Sequence, residues 1–271
     1  MIDRESGTAG ESGTAGESGP PPEGRRLTPR RVAVVLLAVL AVLLAAAVAV
    51  TALAFPSVAA TTCPGCYGLE RLRPGLYAEP GLPPERRRQV IEVVERAERR
   101  VSDFYGGRES SPDVLVCLTQ DCYRRIGGGE ERGVAVLNRA VMLSPGGANP
   151  VIASHELSHV ELRARLGGGE VPQWFNEGLA VLVSDDPRYL SRSGDRCLAE
   201  PRPELPATLE DWLSTASADR RTYAEAACRV SRWAGVGGGP QAVRNLTGRL
   251  SAGESFAEVT GIAAPAPPSR P

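Results

Sequence analysis

Lysine is absent from the sequence, and its 31 basic residues face 32 acidic ones for a net charge of -1. A chain so balanced lacks the basic footprint that nucleic acid demands, which excludes that partner, and it has no field to steer a strongly charged ligand. With alanine, glycine and proline plentiful, the all-arginine basic set reads as coding bias rather than guanidinium chemistry. Histidine is almost as scarce. The chain has two, His155 and His159, so any site built from three imidazoles is excluded.

No cysteine precedes Cys63, and the six present (Cys63, Cys66, Cys117, Cys122, Cys197, Cys228) all follow the long apolar run described below. An even number confined to one side of a membrane span suits disulfides in an oxidising compartment. Cys63-Pro64-Gly65-Cys66 has no second C-x-x-C beside it, which argues against a zinc knuckle; a redox-active pair is the alternative. Near-neighbour spacing favours pairing Cys63 with Cys66, Cys117 with Cys122, and Cys197 with Cys228.

Residues 5–19 repeat the unit Glu-Ser-Gly-Thr-Ala-Gly and run into Pro20-Pro21-Pro22, leaving almost nothing to bury. Residues 1–31 are therefore expected to be a disordered cytoplasmic segment. Arg25, Arg26, Arg30 and Arg31 then precede an uncharged run over 32–55, in which Thr51 is the single polar side chain. At about 1.5 Å per helical residue the run is roughly 36 Å long, enough to span a bilayer. No charge follows until Glu70, so the positive-inside rule places the N-terminus in the cytoplasm and the remainder outside it. A cleaved signal peptide, with Ser57-Val58-Ala59-Ala60 as the small-residue site, competes with this anchor, but the apolar run is longer than a signal core.

Residues 56–83 read as a linker and 84–262 as one α+β domain with a small mixed sheet, followed by a frayed Pro/Ala-rich tail over 263–271. Within the domain, Val90, Ile91, Val93, Val94, Ala97 and Val101 mark an amphipathic helix over 84–104. Val114 to Leu118 reads as a buried strand, and 133–144 as two short strands around a turn or one strand with a bulge. A helix over 150–166 follows, capped by Asn149, opened by Pro150 and stopped by Gly167-Gly168-Gly169. Further helices are expected over 173–184 and 223–236. Trp174, Trp212 and Trp233 are read as core. Asn245-Leu246-Thr247 matches a glycosylation sequon, which has meaning only in a eukaryotic secretory setting.

The chain's two histidines sit in His155-Glu156-Leu157-Ser158-His159. Histidines four apart on a helix share a face and reach one ion, while the intervening Glu156 can take a proton from a zinc-activated water. Two randomly placed histidines would give this pattern in roughly one chain in a thousand. A third ligand is sought downstream, and Glu177 stands in the apolar run Trp174-Phe175-Asn176-Glu177-Gly178-Leu179-Ala180, where a buried carboxylate needs a partner.

These two runs together resemble the gluzincins, the thermolysin-like or peptidase MA-like zinc metallopeptidases. The resemblance covers 84–262 and implies a zincin-like fold, Zn2+ held by His155, His159 and Glu177, Glu156 as catalytic base, and a peptide or protein substrate lying along the strand region 133–143. The family often supplies a Tyr or His to the oxyanion, which makes Tyr223 the candidate here; an aromatic packed between helices is its alternative role. Thermolysin-type members carry an Asp four residues after the ligand Glu to orient a zinc-bound His, and this chain has Val181 there. A backbone carbonyl, Asn176, Ser184 or Asp185 must take that role. The sequence thus predicts a membrane-anchored extracytoplasmic zinc metallopeptidase. A catalytically inactive zincin-fold binding module is the first alternative. A deformylase-like hydrolase using an upstream Cys such as Cys122 is the second, and the pairing of Cys122 with Cys117 argues against it.

Overall fold

The computed structural model describes residues 29–262; of the start expected to be disordered, 1–28 lie outside the described residues and 29–31 are helical, and the tail over 263–271 also lies outside them. The chain divides into two compact units at Ala47 and Val48. Helix α1 (Pro29–Ala54) crosses that division and begins three residues earlier than expected, with Arg30 and Arg31 inside it. It holds the one stretch among the described residues long and apolar enough to cross a membrane, Val32–Ala54, 23 residues with mean hydropathy 3.2.

The second unit is α+β. In chain order its elements are α2 (Pro56–Thr62), β1 (Glu70–Arg73), β2 (Leu76–Ala78), α3 (Pro84–Tyr105), β3 (Asp113–Val116), α4 (Gln120–Arg125), β4 (Gly133–Val136), β5 (Ala140–Leu143) and α5 (Pro150–Leu166), then α6 (Gln173–Ser184), α7 (Leu209–Ala218), α8 (Arg221–Val236), α9 (Pro240–Ser251) and α10 (Phe256–Thr260). The five strands form one mixed sheet in the order β1-β2-β3-β5-β4. β2, β3 and β5 run parallel, while β1 and β4 pair antiparallel at the two edges.

Alternation of side chains divides the sheet between two cores. Leu76, Ala78, Val114, Val116, Val141 and Leu143 join the larger cluster beneath α3 and α5. Leu115, Met142 and Val136 point the other way, into a smaller cluster with Ala60 of α2 and Cys122 and Tyr123 of α4. Burial on both faces is why the central strands read as continuous apolar runs.

Residues 56–83, expected as a linker, instead supply α2 and the two strands that extend the sheet. Strands of four and three residues carry no readable period, and β2 gains its place only by pairing with β3 far along the chain. The hairpin after α4 resolves the open choice over 133–144 as two strands, turning at Leu137 and Asn138, whose φ values are 49° and 54°. All three disulfides join the near neighbours that the spacing favours.

Helix α5 begins as expected: the Asn149 side chain accepts from the Val151 and Ile152 amides, both at 3.1 Å, with Pro150 in the first turn. Its rotation is fixed by polar contacts on the side away from the histidines. Tyr105 of α3 meets Ser158 at 3.2 Å, and the fully buried Glu161 accepts from the Glu109 and Ser110 amides, the Ser110 hydroxyl and Arg165.

Helices α6 and α8 pack closely where α6 carries Gly178. A Cβ there would stand 2.5 Å from the Ala226 carbonyl oxygen, a contact with backbone that no side-chain rotation relieves. Gly178→Ala is therefore expected to lower the unfolding free energy by about 1–3 kcal/mol, as overpacking does. Gly248→Ala on α9, where a Cβ meets nothing within 4 Å, should raise it by up to about 1 kcal/mol. Denaturant midpoints of the two variants check this pair; equal effects would contradict the packing described.

Candidate metal centre and cleft

Helices α5 and α6 bring the predicted ligands together. His155 and His159 stand one turn apart, with ring centroids 4.8 Å apart and planes at 82°. Both Nε2 atoms face Oε2 of Glu177, His155 at 3.4 Å and His159 at 3.8 Å, with side-chain exposures of 11%, 12% and 12%. One ligand atom from each residue lies within 4.8 Å of the others, so the three could hold a metal ion.

The surroundings suit that use. Nδ1 of His159 lies 2.8 Å from Oδ1 of Asn176. An amide oxygen only accepts, so Nδ1 is the donor in this pair and Nε2 is the ring nitrogen turned toward Glu177. A carboxylate flanked by two imidazole nitrogens in a largely buried place is a donor set that a cation between them would satisfy. Burial acts to raise the Glu177 carboxyl, yet His159 and His155 hold it below the usual carboxylate range, and Gln173 donates to Oε1 at 2.9 Å.

Of the four orienting groups considered from sequence, Asn176 is the one in contact with a histidine ring. Ser184 donates to the Val181 carbonyl and Asp185 pairs with Arg196. Val181 is fully buried, and Nδ1 of His155 is buried without a hydrogen-bond partner.

Glu156 points from α5 toward the edge strand β4. Burial pushes its carboxyl up to about 7 against the pull of His159; the Glu177 charge adds to the rise, and the Ala135 amide, which donates to it, lowers it. This approach requires glycine at 133, where a Cβ would stand 2.8 Å from Cγ of Glu156. Ser144 donates to the Arg132 carbonyl at 2.9 Å. The alternation of an antiparallel ladder then turns the backbone groups of Gly133 and Ala135 to the free edge of the sheet.

His155 and Glu156 open into a cleft of about 520 Å³ walled by Gly133 on one side and by Tyr189, Trp212, Leu213, Arg220 and Tyr223 on the other. Tyr223 shares this cleft, but it is also packed: it stacks on Tyr189 at 5.0 Å and meets Trp212 edge-on at 4.9 Å. Burial, reinforced by the Glu177 charge, drives its phenol above the ordinary tyrosine range and keeps it protonated, a donor.

Sequence reasoning missed α7 and the segment carrying Asp186, Arg188 and Tyr189. Asp186 is fully buried and accepts from both the amide and the guanidinium of Arg188; an Asp two residues before an Arg was a usable turn signal. The second acidic and sulfur-bearing group, Glu79 with Cys117 and Cys122, holds its sulfurs in a disulfide, and Glu79 accepts from the Leu118 and Thr119 amides and the Thr119 hydroxyl. The sequon lies inside α9 with Leu246 and Thr247 buried. No family model, curated protein or solved structure matches the chain.

The two aspects of Tyr223 separate by substitution. Tyr223→Phe keeps both ring contacts and should change stability by less than about 0.5 kcal/mol, whereas Tyr223→Ala should cost about 2–4 kcal/mol. Thermal unfolding of the pair decides whether the ring, rather than the hydroxyl, carries the structural role.

Proposed function

We propose that the chain is a membrane-anchored zinc metallopeptidase of the gluzincin type, with a zincin-like domain held outside the cytoplasm. The observation that carries this reading is the convergence of His155, His159 and Glu177 beside a buried Glu156 that faces an open strand edge. Two imidazole nitrogens and a carboxylate are a donor set suited to zinc with an open position. Bound there, zinc would supply Lewis acidity and lower the pKa of a water to about 7.

The chain's own residues do the rest. Gly133 and the Ala135 carbonyl offer outward backbone groups with which an extended peptide pairs, laying its scissile bond over the cleft. Glu156 takes a proton from the attacking water and passes it to the amide nitrogen as the C–N bond breaks and the new C–O bond forms. Tyr223, protonated, donates to the carbonyl oxygen as it gains charge. Asn176 holds His159 in the tautomer that leaves Nε2 free. The placement outside the cytoplasm is supported by three disulfides, by the apolar α1 and by the arginines before it.

One observation favours a second reading, a zincin-fold binding module without turnover. The unpartnered Nδ1 of His155 leaves one ligand unoriented, and loss of such a partner can cost about 10 to 100-fold in metal affinity or activity.

Metal analysis and cleavage of a peptide library separate these. The purified protein is expected to retain about one zinc per chain. Glu177→Ala should lose it, and Asn176→Ala should bind about 10 to 100-fold more weakly. Glu156→Gln should keep the metal but cleave about 100 to 10,000-fold more slowly. A protein that never takes up zinc contradicts the proposal, and a zinc-loaded wild type no more active than Glu156→Gln supports the binding module.

A further inference from the structure

Two of the three disulfides belong to the packed interior. Cys117, Cys122 and Cys228 are buried and Cys197 is half-buried. Cys63 and Cys66 are both exposed. They form the chain's C-x-x-C stretch, and neither the metal centre nor the cleft uses it.

The turn that carries this pair is built without the sulfurs. Pro64–Tyr67 makes one 3-10 turn after α2. In it the Cys66 amide donates to the Cys63 carbonyl at 3.0 Å, the Gly68 amide to Gly65 at 3.0 Å and the Leu69 amide to Pro64 at 3.1 Å. Pro64 and Leu69 are buried, and Leu69 and Tyr67 pack on the smaller core that holds Leu115 and Tyr123. A bond closing so short a loop restrains the unfolded chain less than Cys197–Cys228, whose residues are 31 apart. With the two Cα atoms held 5.3 Å apart by the turn, the pair stays within disulfide reach in either redox state.

The approach is open and the nearest fixed charge is positive. A Cβ at Gly65 or Gly68 would meet nothing within 4 Å. Nε of Arg125 donates to the Tyr67 carbonyl at 3.0 Å, one residue beyond Cys66. Glu70, the next acidic residue along the chain, is occupied by Arg87 at 2.6 Å. A guanidinium beside a cysteine favours its thiolate, the form in which it leaves a disulfide.

We propose that Cys63–Cys66 is a thiol–disulfide exchange site that takes two electrons from a dithiol, borne by a partner protein or by a small molecule. One thiolate of the dithiol attacks Sγ of Cys63. The new S–S bond forms as the Cys63–Cys66 bond breaks, and Cys66 departs as a thiolate beside Arg125. The second thiolate of the dithiol then attacks its own partner sulfur in the mixed disulfide and releases Cys63. The dithiol is oxidised to a disulfide, and the two protons it loses pass through solvent to Cys63 and Cys66. This site is independent of the peptidase reading.

The test uses the full-length protein in detergent micelles at about pH 7, with an oxidised peptide of residues 61–68 as the unfolded reference. Reduced thioredoxin and dihydrolipoamide are the two probes. Acid quenching, alkylation and mass spectrometry count the reduced cysteine at each position.

The expected result is that at least one probe reduces Cys63–Cys66 at least about tenfold faster than it reduces the other two disulfides or the peptide. The probe that does so tells whether the dithiol belongs to a protein or to a small molecule. Arg125→Gln should slow this step about 3 to 10-fold, and Arg125→Lys should restore most of the rate. Reduction of this pair alone should leave the thermal midpoint within about 3 °C of its original value, and oxidised glutathione should re-form the same pair. A pair that reacts no faster than the peptide with both probes overturns the proposal. So does a rate indifferent to Arg125→Gln, or a domain that unfolds once this pair is reduced. If an Arg125 variant fails to fold, the comparison of wild type with peptide decides.

Discussion

A carboxylate buried between two helices needs a partner, and Glu177 finds two imidazoles. Removing its charge from water is costly, and the cost is met only if α5 and α6 hold His155, His159 and Glu177 within a few ångströms of one another. Much of the domain serves that requirement. Gly178, next to Glu177, lets α8 close over the back of α6. Tyr105 and the Glu161 network stop α5 from rotating. Asn176, on the other side of Glu177, fixes the His159 ring. Orienting group, candidate ligand and packing glycine are thus three consecutive residues, Asn176, Glu177 and Gly178.

The sheet supplies the second half of the site. Its edge strand β4 ends the order β1-β2-β3-β5-β4, and the glycine at 133 lets Glu156 approach the strand closely enough to accept from Ala135. The same strand is covered on its far face by α2, so the residues that would handle a substrate and those that follow the apolar helix share one rigid wall.

What was legible in the sequence was what local physics determines. The capped, proline-opened α5, the amphipathic α3 and the apolar α6 carry their own periodicity, and cysteines close in sequence pair as spacing suggests. The histidine pair stood out because the chain has no others. Long-range structure was hidden. β1 and β2 are too short to show a period, β2 exists through pairing with β3 and β1 through pairing with β2, which is why 56–83 looked like a linker. Asn176 was one of several possible orienting groups until the helix crossing set it against His159. The Tyr189, Trp212 and Tyr223 wall draws on three separate segments, and no single stretch reveals it.

The most direct test of the central claim is X-ray absorption at the zinc edge on protein loaded with one equivalent of the metal. Ligation by His155, His159 and Glu177 predicts nitrogen and oxygen neighbours at about 2.0–2.2 Å, two of them imidazole, with the imidazole signal reduced in His159→Ala. Sulfur neighbours at about 2.3 Å, or a spectrum unchanged by that substitution, would contradict it.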